Sequence, residues 1–328
     1  MFSVIGSDMR YGDREAGEEG RMMQDLLDRL RDAIERHCVK PSTNTVLPGL
    51  LLFRAEAPTT PMDLVYEPRF CLIVQGSKQV MLCDQTFDYD ASKYMVTAVD
   101  LPVTSHITHA RPDEPYLALC LTLDPVQIAD VLLEMQHGQA GESLHCSRCM
   151  VVSDLTRHIL DPVTRLVGLL DEPGDMAFLR DSIVRELLYR LLQGPQGGVL
   201  RQIATAGSNL SHLNRAIAWI RTHYAEAFDI AEVARLAAMS PSSFHRHFRA
   251  ATMMSPLQYR TRLRLQEARR QLMSGGVDAA EAGFAVGYDS PSQFSREYRR
   301  MFGSPPARDA QRIRAENAVG ARELELAE

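Results

Sequence analysis

The chain has 328 residues, more than twice the length of a typical single domain, so at least two separately cored units are expected. Hydrophobic residues make up 45% and charged residues 24%, which excludes a mostly disordered chain. No apolar run reaches the roughly 18 to 20 residues of a membrane span, and residues 1–20 lack the basic-then-apolar order of a signal peptide, so a cytoplasmic protein is expected.

Six cysteines (Cys38, Cys71, Cys83, Cys120, Cys146 and Cys149) in such a chain read as free thiols rather than a disulfide framework. The net charge of -6 is unevenly spread. Residues 211–314 hold 16 arginines, no lysine and 9 acids, a net +7, which leaves -13 for the remainder. A basic C-terminal third on an acidic remainder points to a polyanion-binding module carried by something that is not one.

Residues 1–20 read as a flexible tail. Over residues 21–37, Met23, Leu26, Leu27, Leu30 and Ile34 recur at helical spacing. Short β-rich runs follow at 50–53, 70–74, 79–82, 86–89, 94–99 and 116–123, with turns at Gln75-Gly76-Ser77 and Asp84-Gln85. So many short strands within about 46–123 predict a small barrel or sandwich. Helical periodicity returns at 126–135, 161–170 and 176–192, the last carrying Ile183, Leu187, Leu188 and Leu191 on one stripe that suits either a core or a dimer face. The glycine-rich stretch 193–198 ends that helix, and 204–209 reads as a linker.

The basic third contains a repeat. Ser240-Pro241-Ser242-Ser243-Phe244-His245-Arg246-His247-Phe248 returns as Ser290-Pro291-Ser292-Gln293-Phe294-Ser295-Arg296-Glu297-Tyr298. Each copy follows an acid with a glutamate three residues on, Asp229 with Glu232 and Asp278 with Glu281, a capping arrangement that starts a helix. Serine then caps a second helix with proline at its first position. At about 100° per residue, Phe244 and Phe248 share one side and Arg246 faces away, flanked by Ser242, Ser243, His245 and Arg249. In the second copy Phe294 and Tyr298 turn inward, and Arg296 centres a face of Ser292, Gln293, Ser295, Arg299 and Arg300. Small or hydrogen-bonding residues, an arginine fork for guanine and basic flanks for phosphate suit a helix entering the DNA major groove. Between the copies, residues 256–274 form a connecting helix with Leu257, Leu263, Ala268 and Leu272 available for packing. Arg260, Arg262, Arg264, Arg269 and Arg270 decorate it.

These motifs resemble the AraC/XylS family of bacterial transcription regulators over residues 211–314, most specifically in the run from Gly287 to Pro306, with Phe302-Gly303 and Pro305-Pro306 after the second recognition helix, and in Ser255-Pro256-Leu257-Gln258-Tyr259. Ala307-Arg308-Asp309 departs from the tyrosine-arginine pair usual there. Upstream, the run from Tyr66 to Lys78, Asp100-Leu101-Pro102-Val103 and the run from Arg185 to Gly194 resemble the N-terminal domain of one branch of that family. The resemblance implies an α+β multidomain chain. It has a cupin-like β-barrel with flanking helices (residues 21–205; barrel about 46–123, helices about 126–202), an all-α tandem helix-turn-helix domain (206–314) and a C-terminal tail (315–328). It implies a regulator of double-stranded promoter DNA, an activator in the family's usual manner. A homodimer, RNA polymerase and a small-molecule effector are its expected partners, and no membrane is.

No catalytic residue, metal or cofactor is expected. The nearest candidate metal pair, His106 and His109, is three residues apart, and on a strand that spacing sends the two imidazoles to opposite faces, so loop or surface histidines are expected. Cys146 and Cys149, preceded by His145, form one Cys-x-x-Cys without the second pair a structural zinc site needs. The contrary functional reading is a cupin-type metabolite-binding protein or enzyme with accessory C-terminal helices.

Overall fold

The computed structural model describes residues 8–136, 149–205, 208–227 and 229–314. The chain divides into two compact units, residues 1–211 and 212–328. Among the described residues no helix is long and apolar enough to cross a membrane.

The first unit opens with α1 (Asp8–His37). Residues 8–20, expected as a flexible tail, are therefore helical. Gly12, Gly17 and Gly20 lower local propensity, but adding turns to an existing helix is far easier than nucleating one. Further along, Leu30, Ala33 and Ile34 are buried, and α1 packs on α3 (Arg157–Gly168) and on the sheet.

Among the described residues, ten strands follow in two antiparallel sheets. The larger has the order β1 (Ser42–Asn44), β2 (Leu50–Ala55), β9 (Tyr116–Thr122), β4 (Arg69–Gln75), β7 (Lys93–Thr97), β10 (Met150–Asp154). The smaller has the order β3 (Met62–Tyr66), β8 (Leu101–His109), β5 (Ser77–Leu82), β6 (Gln85–Asp90). Each run read as a strand is one. Strands β1, β3, β8 and β10 escaped the periodicity, and β8 shows why. Pro102 near its start argues against a strand flanked on both sides, yet pairing with β5 begins only at Thr104, so on that side the missing N–H costs nothing. His106 and His109 consequently lie on a strand, not in a loop.

Helices α2 (Pro125–Gln136), α3, α4 (Met176–Gln193) and α5 (Gly197–Ala204) complete the unit. Gly197 and Gly198, read as part of a helix terminator, open α5. Ile183, Leu187, Leu188 and Leu191 of α4 are buried, and α4 packs on α2, α3 and α5. The stripe is core and is not free for a dimer.

The second unit is helical: α7 (Ile230–Leu236), α8 (Pro241–Thr252), α9 (Pro256–Ser274), α10 (Ala279–Ala285) and α11 (Pro291–Phe302), with residues 306–314 also helical. Helix α6 (Asn209–Thr222) begins within the first unit's last residues. The core around α9 gathers Leu265, Ala268, Leu272, Ala282, Val286, Tyr288, Phe294, Tyr298 and Ala310.

Candidate nucleic-acid interface

Each copy of the repeat is a helix, a turn and a second helix. Asp229 accepts from the Ala231 N–H, and Asp278 from those of Ala280 and Glu281, with the Glu281 side chain returning to the Asp278 N–H at 3.0 Å. Ser240 and Ser290 cap α8 and α11, and proline opens both. Capping fixes where each helix starts and hence which residues share a face.

The inner faces are aromatic and fully buried. Phe244 and Phe248 meet edge to face at 5.3 Å, and Phe248 meets Tyr259 of α9 at 5.4 Å. Phe294 and Tyr298 meet at 5.5 Å, and Phe302 closes on Tyr298 at 4.5 Å. These contacts lock the rotation of both helices, so the residues a quarter turn or more away must face solvent.

The two copies differ in their turns. Nine residues after the capping acid stands Ala238 in the first copy and Gly287 in the second, both at positive φ, 50° and 87°. Past the second helix the same pairing returns: Met253 caps α8 and Gly303 caps α11, both left-handed. The second copy uses glycine at both positions where the first accepts the strain of a side chain.

Ser242, His245, Arg246 and Arg249 are exposed on α8, and Ser243 is half-buried. On α11, Ser292, Gln293, Arg296, Arg299 and Arg300 are exposed, while Ser295 is half-buried. The structure thus brings the candidates together as two groups, one on each second helix. Glu297, absent from the candidate set, also lies on α11. It accepts from Gln293 Nε2 at 3.1 Å and from the Tyr288 hydroxyl at 2.8 Å. Burial raises the Tyr288 phenol's pKa, and the bond to Glu297 raises it further. The repeat offered a signal for it, since the matching position in the first copy is the polar His247.

The connecting helix corrects the sequence reading. Leu257, expected to pack, is exposed, whereas Arg264 and Arg269 are drawn inward. Arg264 donates from Nε to the Tyr224 carbonyl at 2.6 Å and from its terminal nitrogen to that of Ala225 at 2.8 Å. Arg260 adds a bond to the Tyr224 carbonyl at 3.1 Å. These carbonyls lie just beyond the end of α6, so the guanidinium caps groups that no later turn can satisfy. Burial pulls the pKa of Arg264 below the ordinary arginine value. Arg269 donates to the buried carboxylate of Asp309 at 2.9 Å, and Arg270 pairs with Glu267 at 2.6 Å. Much of the positive charge on α9 is therefore structural.

In the β-unit, His106 is half-buried, and Nδ1 of the exposed His109 sits 2.6 Å from Ser77 Oγ. Among the described residues no group of three or more His, Cys, Asp or Glu is placed to hold a metal. His145 and Cys146 lie outside the described residues, and Cys149 is buried.

The AraC-type transcriptional regulator N-terminus family matches residues 46–199, and the Helix-turn-helix domain family matches residues 233–312. These matches support placing the chain in the AraC/XylS family. The HTH-type transcriptional activator RhaS of Salmonella schwarzengrund (strain CVM19633) is 31% identical over 153 residues, 46% of this chain and 54% of that protein. RhaS of Salmonella agona (strain SL483) matches to the same extent. The chain spans about half the length of these relatives. Among solved structures, apo ToxT from Vibrio cholerae strain SCE256, in a lysine-to-alanine variant, has a TM-score of 0.50 and 9% identity, covering 81% of this chain and 98% of that one. That is a likeness of fold.

Proposed function

We propose that this AraC/XylS chain is a sequence-specific, cytoplasmic DNA-binding regulator of transcription and not an enzyme, with α8 and α11 entering successive major grooves on one face of a promoter. Arg246 and Arg296 read guanine. Ser242, Ser243, His245, Ser292, Gln293 and Ser295 line the grooves. Arg249, Arg299 and Arg300 meet phosphates. The observation that carries this reading is the repeat itself, two capped helices with aromatic inner faces and an exposed arginine at matching positions.

Helix α9 has 19 residues and so a length of about 28 Å, short of the roughly 34 Å between successive groove faces. Helix tilt or DNA bending makes up the difference. The N-terminal unit serves as the regulatory half, taking a small organic effector and pairing two copies. With the leucine stripe of α4 used in the core, exposed Phe178, Leu179 and Tyr189 on that helix support pairing instead. RNA polymerase is the further partner of an activator of this kind.

The test is selection by the full chain from a random pool of duplex DNA. The expected result is an enriched site with two preferred blocks about 10 to 10.5 base pairs apart, bound less tightly as salt rises. Absence of enrichment, or binding indifferent to salt, would favour the metabolite-binding or enzymatic alternative.

A further inference from the structure

Strands β4 and β9 are central in the larger sheet, and their antiparallel register sets Cys71 directly opposite Cys120. Directly opposed residues in such a ladder have Cα atoms about 4.5 or 5.5 Å apart, and either spacing falls in the roughly 4.4 to 6.8 Å window that a disulfide spans. Both side chains leave the same face, and the sulfurs lie 2.9 Å apart as a hydrogen-bonded pair of free thiols. Closing to a bond of about 2.05 Å needs a shift of less than about 1 Å, without strand movement.

The surroundings separate the two sulfurs. Cys71 is 5% exposed, and burial pushes its thiol well up. Cys120 is only half-buried, and its thiol is held below the ordinary value by the hydrogen bond from Cys71 and by the charges of Arg69 and Lys78, against the effect of burial. The buried phenols of Tyr66, Tyr89 and Tyr116 complete the neighbourhood. A more accessible thiol near two basic side chains, beside a sheltered one, is the arrangement of an attacking and a resolving cysteine.

We propose that Cys71 and Cys120 are a redox-active pair that closes to a cross-strand disulfide, with hydrogen peroxide as the oxidant. The Cys120 thiolate attacks one peroxide oxygen. The O–O bond breaks, Cys120 becomes a sulfenic acid, and the departing hydroxide takes up the proton released by the Cys120 thiol to leave as water. The Cys71 sulfur then attacks the sulfenic sulfur. The S–S bond forms, the S–O bond breaks, and the second hydroxide leaves as water with the Cys71 proton. Two thiols lose two electrons and the peroxide gains them. A small neutral oxidant suits so sheltered a pair. This inference stands apart from the DNA-binding reading, since it concerns the other unit and needs no DNA.

The test uses the reduced full chain, a few equivalents of hydrogen peroxide, and alkylation of remaining thiols after unfolding. Cleavage after lysine, arginine and glutamate, which spares bonds before proline, separates Cys71 into residues 70–78 and Cys120 into residues 94–134. The expected result is that these two peptides become linked, with loss of two hydrogens, in most chains and are released by dithiothreitol. The Cys71→Ser chain should instead carry a sulfenic acid on Cys120 that dimedone traps. Recovery of both peptides alkylated and unlinked from the wild-type chain, while exposed Cys83 is oxidised, would overturn the proposal whether or not the variant folds.

Discussion

The phenol of Tyr298 donates to the carboxylate of Asp309 at 3.0 Å, on the buried side of α11. The same carboxylate, wholly buried, accepts from Arg269 of α9 at 2.9 Å and from Arg312 at 2.8 Å. One acid therefore ties α11, α9 and the last helical segment together. Removing it takes away the carboxylate partner of the largely buried Arg269, which costs up to about 3 to 5 kcal/mol. Asp309→Ala should lower the midpoint of urea unfolding followed through Trp219, the sole tryptophan, which lies in the second unit. An unchanged midpoint would show that the carboxylate does not hold this unit together.

The contrast between Ala238 and Gly287 yields a pair of opposite outcomes. Ala238→Gly relieves a left-handed residue and should stabilise the second unit, by no more than about 1 kcal/mol once the added freedom of the unfolded chain is counted. Gly287→Ala should destabilise it far more, because the new Cβ would lie 1.9 Å from the Ala225 carbonyl oxygen and 2.5 Å from the Arg264 guanidinium. The same Trp219 melt reads both, and equal effects would contradict the packing described at Gly287.

Where the sequence was informative, local rules sufficed. Asp229, Ser240, Asp278 and Ser290 mark helix starts within a few residues, and the spacing of Phe244 with Phe248 fixes the inner side of α8. Long-range partners were out of reach. Nothing near Arg264 or Arg269 in sequence reveals carbonyls or a carboxylate about forty residues away, so periodicity assigned both to the surface. Acids and glycines made residues 8–20 read as a tail, and Pro102 concealed β8. The pairing of Cys71 with Cys120, 49 residues apart, depends on a strand register that no single stretch encodes.

Base readout by the central arginines has a distinct signature. Arg246→Ala and Arg296→Ala should each cost about 1 to 3 kcal/mol on the preferred site and relax preference at one base pair. Binding of each variant to a full set of single-base changes checks this. A uniform loss across all sequences would remove both residues from base reading.

Phosphate contacts behave differently. Changing Arg249, Arg299 or Arg300 to alanine should weaken every duplex alike and lower the slope of log affinity against log salt by about one. Titrations at several salt concentrations give that slope. A variant that altered base preference with no change in slope would belong with the readers.

Joint occupation of two successive grooves by α8 and α11 can be read by hydroxyl-radical footprinting of the full chain on its selected site. Two protected segments are expected on one face of the duplex, about one helical turn apart, with Arg246→Ala and Arg296→Ala each weakening a different one. Protection of a single segment, or loss of the same segment in both variants, would contradict it.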